Sequence, residues 1–223
     1  MFNHRHPQLL LVLASVSLLQ SGCALLGVET IRGSGVAMVE DREVSEFQQV
    51  KVGGALHAIV EPGDFHSVTV EGDDNLVPLV MTDVVGGRLR IRTKNMVSIS
   101  PQIPLRVVVV CPSLNGIHVS GASDVDVRDL QADALDVSAS GASDLMITGV
   151  CTNLSLDVSG ASEVDLSGLT ALLADLHVSG ASDVRVVATE EITGGASGAS
   201  SVRHGGTSNV NIRTAGVADV EPL

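Results

Sequence analysis

The chain has 223 residues, with 13 Lys and Arg against 26 Asp and Glu, for a formal net charge of −13. Hydrophobic residues make up 44%, which excludes a disordered chain. The acidic excess argues against nucleic acid and anionic lipid surfaces as partners, and an aromatic content of 1%, three Phe with no Tyr or Trp, removes the usual stacking platforms for bases and sugars.

The N-terminus reads as a targeting segment. His4, Arg5 and His6 precede the apolar run Leu9–Leu19. That run is too short for a membrane-spanning helix, which needs about 20 residues, and suits the core of a secretory signal. Leu19-Gln20-Ser21-Gly22-Cys23 resembles the lipobox of bacterial lipoproteins, departing from it at Gln20, where a small or apolar residue is usual. The resemblance implies cleavage before Cys23 and acylation of its sulfur, making a membrane the partner through that lipid. Ala24 rather than Asp after the Cys implies sorting to the outer membrane, facing the periplasm or the outside. Residues 1–22 are then removed, and 23–35 form a tether in which Gly33-Ser34-Gly35 is a flexible joint.

Residues 36–112 are rich in short β-strands broken by Gly, Asp and Pro. Val36–Glu40, Phe47–Val52, Ala55–Glu61 and Ser67–Glu71 read as strands. Asp73–Met81 suits a short helix with Asp73 or Asp74 as its N-cap. Gly86-Gly87 turns into Arg88-Leu89-Arg90-Ile91-Arg92, an alternating strand with an arginine face. Leu105–Val110 is continuously apolar, as in a strand buried on both sides.

From residue 113 onward the chain repeats. Ser-Gly-Ala-Ser recurs with its first Ser at Ser120, Ser140, Ser159, Ser179 and Ser197, and Ala215-Gly216-Val217-Ala218 is a degenerate sixth copy. Apolar residues alternate on both sides of each Gly, for example Ile117 and Val119 before Gly121 and Val125 and Val127 after it. Each copy reads as strand, corner, strand and a looser return such as Arg128–Ala134 or Ser167–Ala174. A period near 20 residues is one full turn of a β-solenoid, with equivalent residues stacked about 4.8 Å apart. Such a coil is too thin to need rings, which accounts for the aliphatic composition. The expected fold is all-β: a right-handed parallel β-helix with coils of about 20 residues and a β-rich N-terminal capping half. Cys111 and Cys151, two coils apart in one phase, are about 9–10 Å from each other on this reading, too far for a disulfide.

The order Gly33-Ser34-Gly35, Glu46-Phe47, Gly72-Asp73-Asp74-Asn75-Leu76, Gly87-Arg88-Leu89-Arg90-Ile91 and the repeated Gly-Ala-Ser-Asp blocks resembles the auto-transporter adhesin head domain family, the GIN domain. The likeness runs from about Ile31 to Val220. No composition break separates the two halves, so 36–223 reads as one domain with 113–223 as its repeat solenoid, two sub-domains being the alternative. The likeness implies a β-helical envelope protein, often a lipoprotein, with adhesin-like function. It brings no catalytic residues with it.

Three residues after each Gly lies an acidic column, Asp124, Asp144, Glu163 and Asp183, continued by Ser201 and Asp219. Stacked carboxylates are candidate Ca²⁺ ligands. The other reading is a solvated column closing each corner, since two charges 4.8 Å apart in water repel by only about 0.9 kcal/mol. No other cofactor is implied. His118 and His177 share a column but are about 14 Å apart, too far to share a metal. The favoured function is a non-catalytic, adhesin-like or scaffold lipoprotein surface taking a protein or polysaccharide ligand. The alternatives are a carbohydrate-active β-helix enzyme, a lyase or hydrolase, and a self-assembling homo-oligomeric module joined through open strand edges.

Overall fold

The computed structural model describes residues 29–94 and 97–223. The signal segment 1–22 and Cys23 lie outside the described residues. In chain order the strands are β1 (Glu29–Arg32), β2 (Ala37–Arg42), β3 (Gln49–Gly54), β4 (His57–Pro62), β5 (Ser67–Asp73), β6 (Val80–Val85), β7 (Arg88–Thr93), β8 (Val97–Ser100), β9 (Arg106–Cys111), β10 (Gly116–Gly121), β11 (Asp124–Ala139), β12 (Asp144–Val158), β13 (Glu163–Val178), β14 (Asp183–Gly198), β15 (Ser201–Gly205), β16 (Asn209–Gly216) and β17 (Asp219–Pro222). Among the described residues the one helical element is a 3-10 turn at Val77–Leu79.

The repeats form the expected parallel solenoid. Strands β10 to β15 and β17 pair with their neighbours in parallel, and β16 lies parallel on β14. Glycine corners stack too: Gly54, Gly121, Gly141, Gly160, Gly180, Gly198 and Gly216 all have φ between 78° and 104°. Each corner passes an N–H to the carbonyl one coil below, as Ala142 N does to Gly121 O at 2.8 Å and Ala161 N to Gly141 O at 2.7 Å.

Side-chain alternation fills the interior with aliphatic columns. Leu89, Val50, Ile117, Val137, Leu156 and Leu176 form one such column, all of them buried. Within β11 the alternation slips at Arg128–Asp129 and again at Asp133–Ala134, where two successive residues are exposed. With the Gly121 corner these slips divide the coil into three short faces. The returns were expected to be looser, but they are paired strand: Leu130 pairs Gly149, and Ala134 pairs Asn153. Backbone groups on the flank of a stack find their partners in the coils above and below, so an unpaired return would forfeit those bonds. The break in regularity is confined to bulges, one between Val127 and Leu130, where Asp129 has φ 49°.

Most of the capping half is an insertion within one coil, completed by β1 and β2 from the preceding chain. Strand β10 lies on β3, and the start of β11 lies on β4. Val52-Gly53-Gly54-Ala55-Leu56 is therefore a corner of the solenoid, one that carries Leu56 where the repeats carry their second Ser. Residues 63–115 leave this coil, cover its far side and return. Strand β7 pairs β3 and β9 pairs β4, both parallel, whereas β6 on β7, β5 on β9 and β2 on β5 switch to antiparallel pairing. Strand β9 alternates buried and half-buried residues instead of being buried on both sides, because only one of its faces looks into the core. Strands β1 and β8 form a separate parallel pair.

The expected helix over Asp73–Met81 reduces to the Val77–Leu79 turn, whose N-cap is Leu76 with no side-chain cap bond. Asp73 has a different task. It is buried, and its carboxylate accepts N–H bonds from Gly35 (2.7 Å), Gln102 (3.0 Å) and Ile103 (3.1 Å). Gly33 sits against this carboxylate with no room for a Cβ. The Gly33-Ser34-Gly35 segment is thus fastened rather than loose. Gly33 N also bonds Ser100 O at 2.9 Å, and Ser34 N bonds Asn75 Oδ1 at 2.9 Å.

Candidate functional site: the outward columns of the solenoid

The first outward surface is the acidic column. Asp124 pairs Asp144, Asp144 pairs Glu163, Glu163 pairs Asp183, and the column runs on through Ser201 to Asp219. On the capping side it is continued by His57. The four carboxylates Asp124, Asp144, Glu163 and Asp183 are all exposed. Among the described residues no three His, Cys, Asp or Glu side chains converge closely enough to hold a metal ion. Among the described residues Asp124, Asp144 and Asp183 make no ion pair, whereas Glu163 is tied to Arg185.

Two positions further along lies a mixed column. Asp165 faces Arg185, and Arg185 faces Arg203, which faces Glu221. Arg185 Nη1 reaches Glu163 Oε1 at 2.9 Å and Asp165 Oδ2 at 3.3 Å, and Arg203 Nε reaches Glu221 Oε1 at 3.0 Å. Burial pushes the Asp165 carboxyl up, but the Ser167 hydroxyl and N–H and the Arg185 charge outweigh it and hold the group below the ordinary aspartate value. The bond to Glu163, with the adjoining carboxylate charges, raises Arg185 further. These are cross-coil ties on a solvated face, where water and salt screen the attraction.

A third outward face follows the other arm of the coil. One column runs Lys51, His118, Ser138, Asp157 and His177, so the two histidines do share a column three coils apart. His118 Nδ1 lies 2.8 Å from Ser138 Oγ. Burial and the nearby Arg88 and Lys51 charges lower its pKa, against an upward pull from Asp136. His177 lies 4.0 Å from Asp157 Oδ1.

The corner serines divide into two kinds. Of the first serines, Ser120, Ser140, Ser179 and Ser197 are half-buried and reach the coil below only at long distance, as Ser140 Oγ does to Val119 O at 3.5 Å, while Ser159 is exposed. The second serines, Ser123, Ser143, Ser162, Ser182 and Ser200, are buried inside the corner. Each donates to the carbonyl of its own first Ser, at 3.0 Å for Ser143 to Ser140. The sequence does carry this distinction, because only the second Ser falls on the inward parity of the strand that follows. The hidden corner at Gly54 left a weaker trace, a Val-x-Gly-Ala pattern separated from its fellows by the insertion.

Cys111 and Cys151 are buried free thiols. They occupy different columns: Cys111 is opposite Pro62, and Cys151 is between Ala132 and Ala171. Burial pushes both thiols up to about 11.

A family model described as "Putative auto-transporter adhesin, head GIN domain" matches residues 46–208. Among solved structures, a "putative adhesin" from Bacteroides fragilis superposes with a TM-score of 0.72 at 19% identity, covering 86% of this chain and 100% of that one. A "putative adhesin" from Parabacteroides distasonis gives 0.59 at 21%, over 87% and 100% of the two chains. A "Putative lipid binding protein" from the same species gives 0.56 at 16%, over 87% and 100%. At these identities the likeness carries the fold alone. No curated protein matches the chain.

Proposed function

The chain belongs to the auto-transporter adhesin head GIN domain family, and from that premise we propose that it is a non-catalytic, adhesin-like module of the bacterial envelope. On this reading a lipid on Cys23 holds it to the outer membrane, and the solenoid carries its outward columns as a binding surface for a protein or polysaccharide. The observation that supports this best is the form of the surface itself. Regular columns of Asp, Ser and Arg are displayed at one-coil intervals, and among the described residues no three potential metal ligands converge.

The test is gain of function. The full chain is produced in a non-adherent Gram-negative host, with its Cys23→Ala variant as control, and attachment to glycan-coated and protein-coated surfaces is measured. Attachment that depends on Cys23, together with protease sensitivity of the protein on intact cells, is the expected result. A protein protected from protease on intact cells and conferring no attachment overturns the adhesin reading.

A further inference from the structure

The arginine face of β7 sits within a cationic grid that runs against the charge of the whole molecule. Strands β6, β7, β3 and β10 are adjacent, and their outward positions are in register. Arg88 lies between Val85 and Gln49, Arg90 between Asp83 and Lys51, and Arg92 between Met81 and Gly53. Lys94 follows β7 at the edge of the same hollow. Five of the chain's 13 Lys and Arg, including both lysines, are gathered here. Asp83 is the one carboxylate among the outward residues of these four strands, and it is shared by Arg90 and Arg92. Arg88 is held by the neutral Gln49 Oε1, at 2.9 and 2.7 Å. Lys51 and Lys94 have no ion pair among the described residues.

Such a grid does not help the fold. Like charges directly opposite on neighbouring strands destabilise a sheet, and Lys51 stands directly opposite Arg90. Its electrical effect is visible next door, where the Arg88 and Lys51 charges help to lower the pKa of His118. Because Gly53 carries no side chain, a hollow of about 500 Å³ opens beside Lys51, Arg90, Arg92, Thr93 and Lys94. The rim of the grid is apolar: Met81 is 40% and Val85 54% exposed.

The position of the grid identifies its counterpart. Val97 lines the hollow, and Glu29 of β1 pairs with Val97. Cys23 precedes Glu29 by six residues, which span at most about 20 Å. The grid therefore lies within a short tether of the site where the lipid would attach. Further along the same face the charge reverses, with Asp136, Asp157 and Asp175 on successive coils away from the grid. At physiological ionic strength a charge acts over about 8 Å, so a nearby surface is met by the grid's own sign rather than by the net charge.

We propose that this face docks on the anionic phosphate layer of the bilayer that holds the Cys23 lipid, with Met81 and Val85 reaching the headgroup boundary. The contact brings the antiparallel-capped end to the membrane and turns the Gly216 end away from it. The proposal rests on the reading of Cys23 as a lipid anchor.

The test is cosedimentation with vesicles of the processed chain carrying Cys23→Ser, so that no lipid is present on the protein. Binding is expected to vesicles containing phosphatidylglycerol and not to phosphatidylcholine alone. It should weaken at least about tenfold at high salt, and equally in a Lys51→Glu/Arg92→Glu double variant with an unchanged melting temperature. An Arg203→Glu variant, altered at the other end of the solenoid, should bind as the parent does. Equal binding to both vesicle types overturns the proposal, as does indifference to the charge reversal. Displacement by inorganic phosphate at constant ionic strength also overturns it, in favour of a small-anion pocket. Labelling of the unmodified chain with radioactive palmitate separates the two readings. Acylation without vesicle binding sinks the docking face alone, and vesicle binding without acylation sinks the anchor alone.

Discussion

Gly121 is stacked directly on Gly54, although 67 positions separate them in the chain. A Cβ on Gly121 would overlap the Gly54 carbonyl oxygen, as one on Gly141 would overlap that of Gly121. Both residues also have positive φ, 86° and 89°. Gly141→Ala is therefore expected to cost more than about 3 kcal/mol, from the left-handed backbone and the overlap together. In a domain of this size that lowers the melting temperature by roughly 6–12 °C. Gly86→Ala is the control, because Gly86 has φ 60° but nothing within 4 Å of an added Cβ. It should cost only about 1–2 kcal/mol. Equal losses in the two melting curves would remove the stacking argument.

The two serines of one corner should respond unequally. Ser143 is buried and donates to Ser140 O at 3.0 Å, while Ser140 is half-buried and reaches Val119 O at 3.5 Å. Ser143→Ala is expected to lose about 1 kcal/mol in urea unfolding, and Ser140→Ala less than half of that.

Acid should loosen the Asp73 fastening. Burial pushes this carboxyl up, but the Ile103, Gly35 and Gln102 N–H groups outweigh it and hold the pKa below the ordinary 3.8. Protons then bind the unfolded chain more readily than the folded one. Stability from this group is complete above pH 3.8 and is lost as the pH falls through the lower folded value. Hydrogen-exchange protection at Gly35, Gln102 and Ile103, taken relative to the intrinsic rate at each pH, should fall over that range. In Asp73→Asn it should be low already at neutral pH. Unchanged protection in the variant would mean that the carboxylate is not what holds the segment.

The thiols give a labelling prediction. With Cys111 and Cys151 buried, unbridged and pushed up to about 11, the native protein should resist a thiol reagent at pH 8. Unfolding without reductant should release two reactive groups, Cys23 being acylated or replaced. Stability linked to these thiols is complete below their ordinary value of 9.0 and falls as the pH rises from there toward 11.

The acidic column should tolerate neutralisation. Asp144 is exposed between Asp124 and Glu163, so Asp144→Asn removes repulsion of under about 1 kcal/mol that salt already screens. Its unfolding free energy should stay within about 0.5 kcal/mol of the parent, on the stabilising side, and Ca²⁺ titration should evolve no heat. A melting temperature raised by Ca²⁺ would make the column a cation site.

Much of the fold was legible because the coil period fixes everything that stacks. Once Ser-Gly-Ala-Ser is aligned, the pairing of Asp124 with Asp144 and of Ile117 with Val137 follows without further information. What stayed hidden lay where the period breaks. Gly54 belongs to the same stack, but residues 63–115 intervene, and pairing across that gap depends on tertiary topology that periodicity does not record. Asp73 stands in a Gly-Asp-Asp-Asn run that looks like a helix start, and only the approach of 33–35 and 102–103 turns it into an acceptor. Arg88, Arg90 and Arg92 were visible as one face, but their meeting with Lys51 depends on β7 lying beside β3.

The stacked corners also make the molecule a ruler. Excising residues 141–159 would join Ser140 to Gly160 and bring the Gly160 corner onto Gly121, with the chemistry of each column kept in phase. The body would shorten by one strand spacing, about 4.8 Å. Neither the cap nor the far end would notice. The distance between the two ends is thus set in whole coils by the number of copies, and it changes by one strand spacing with each coil added or removed.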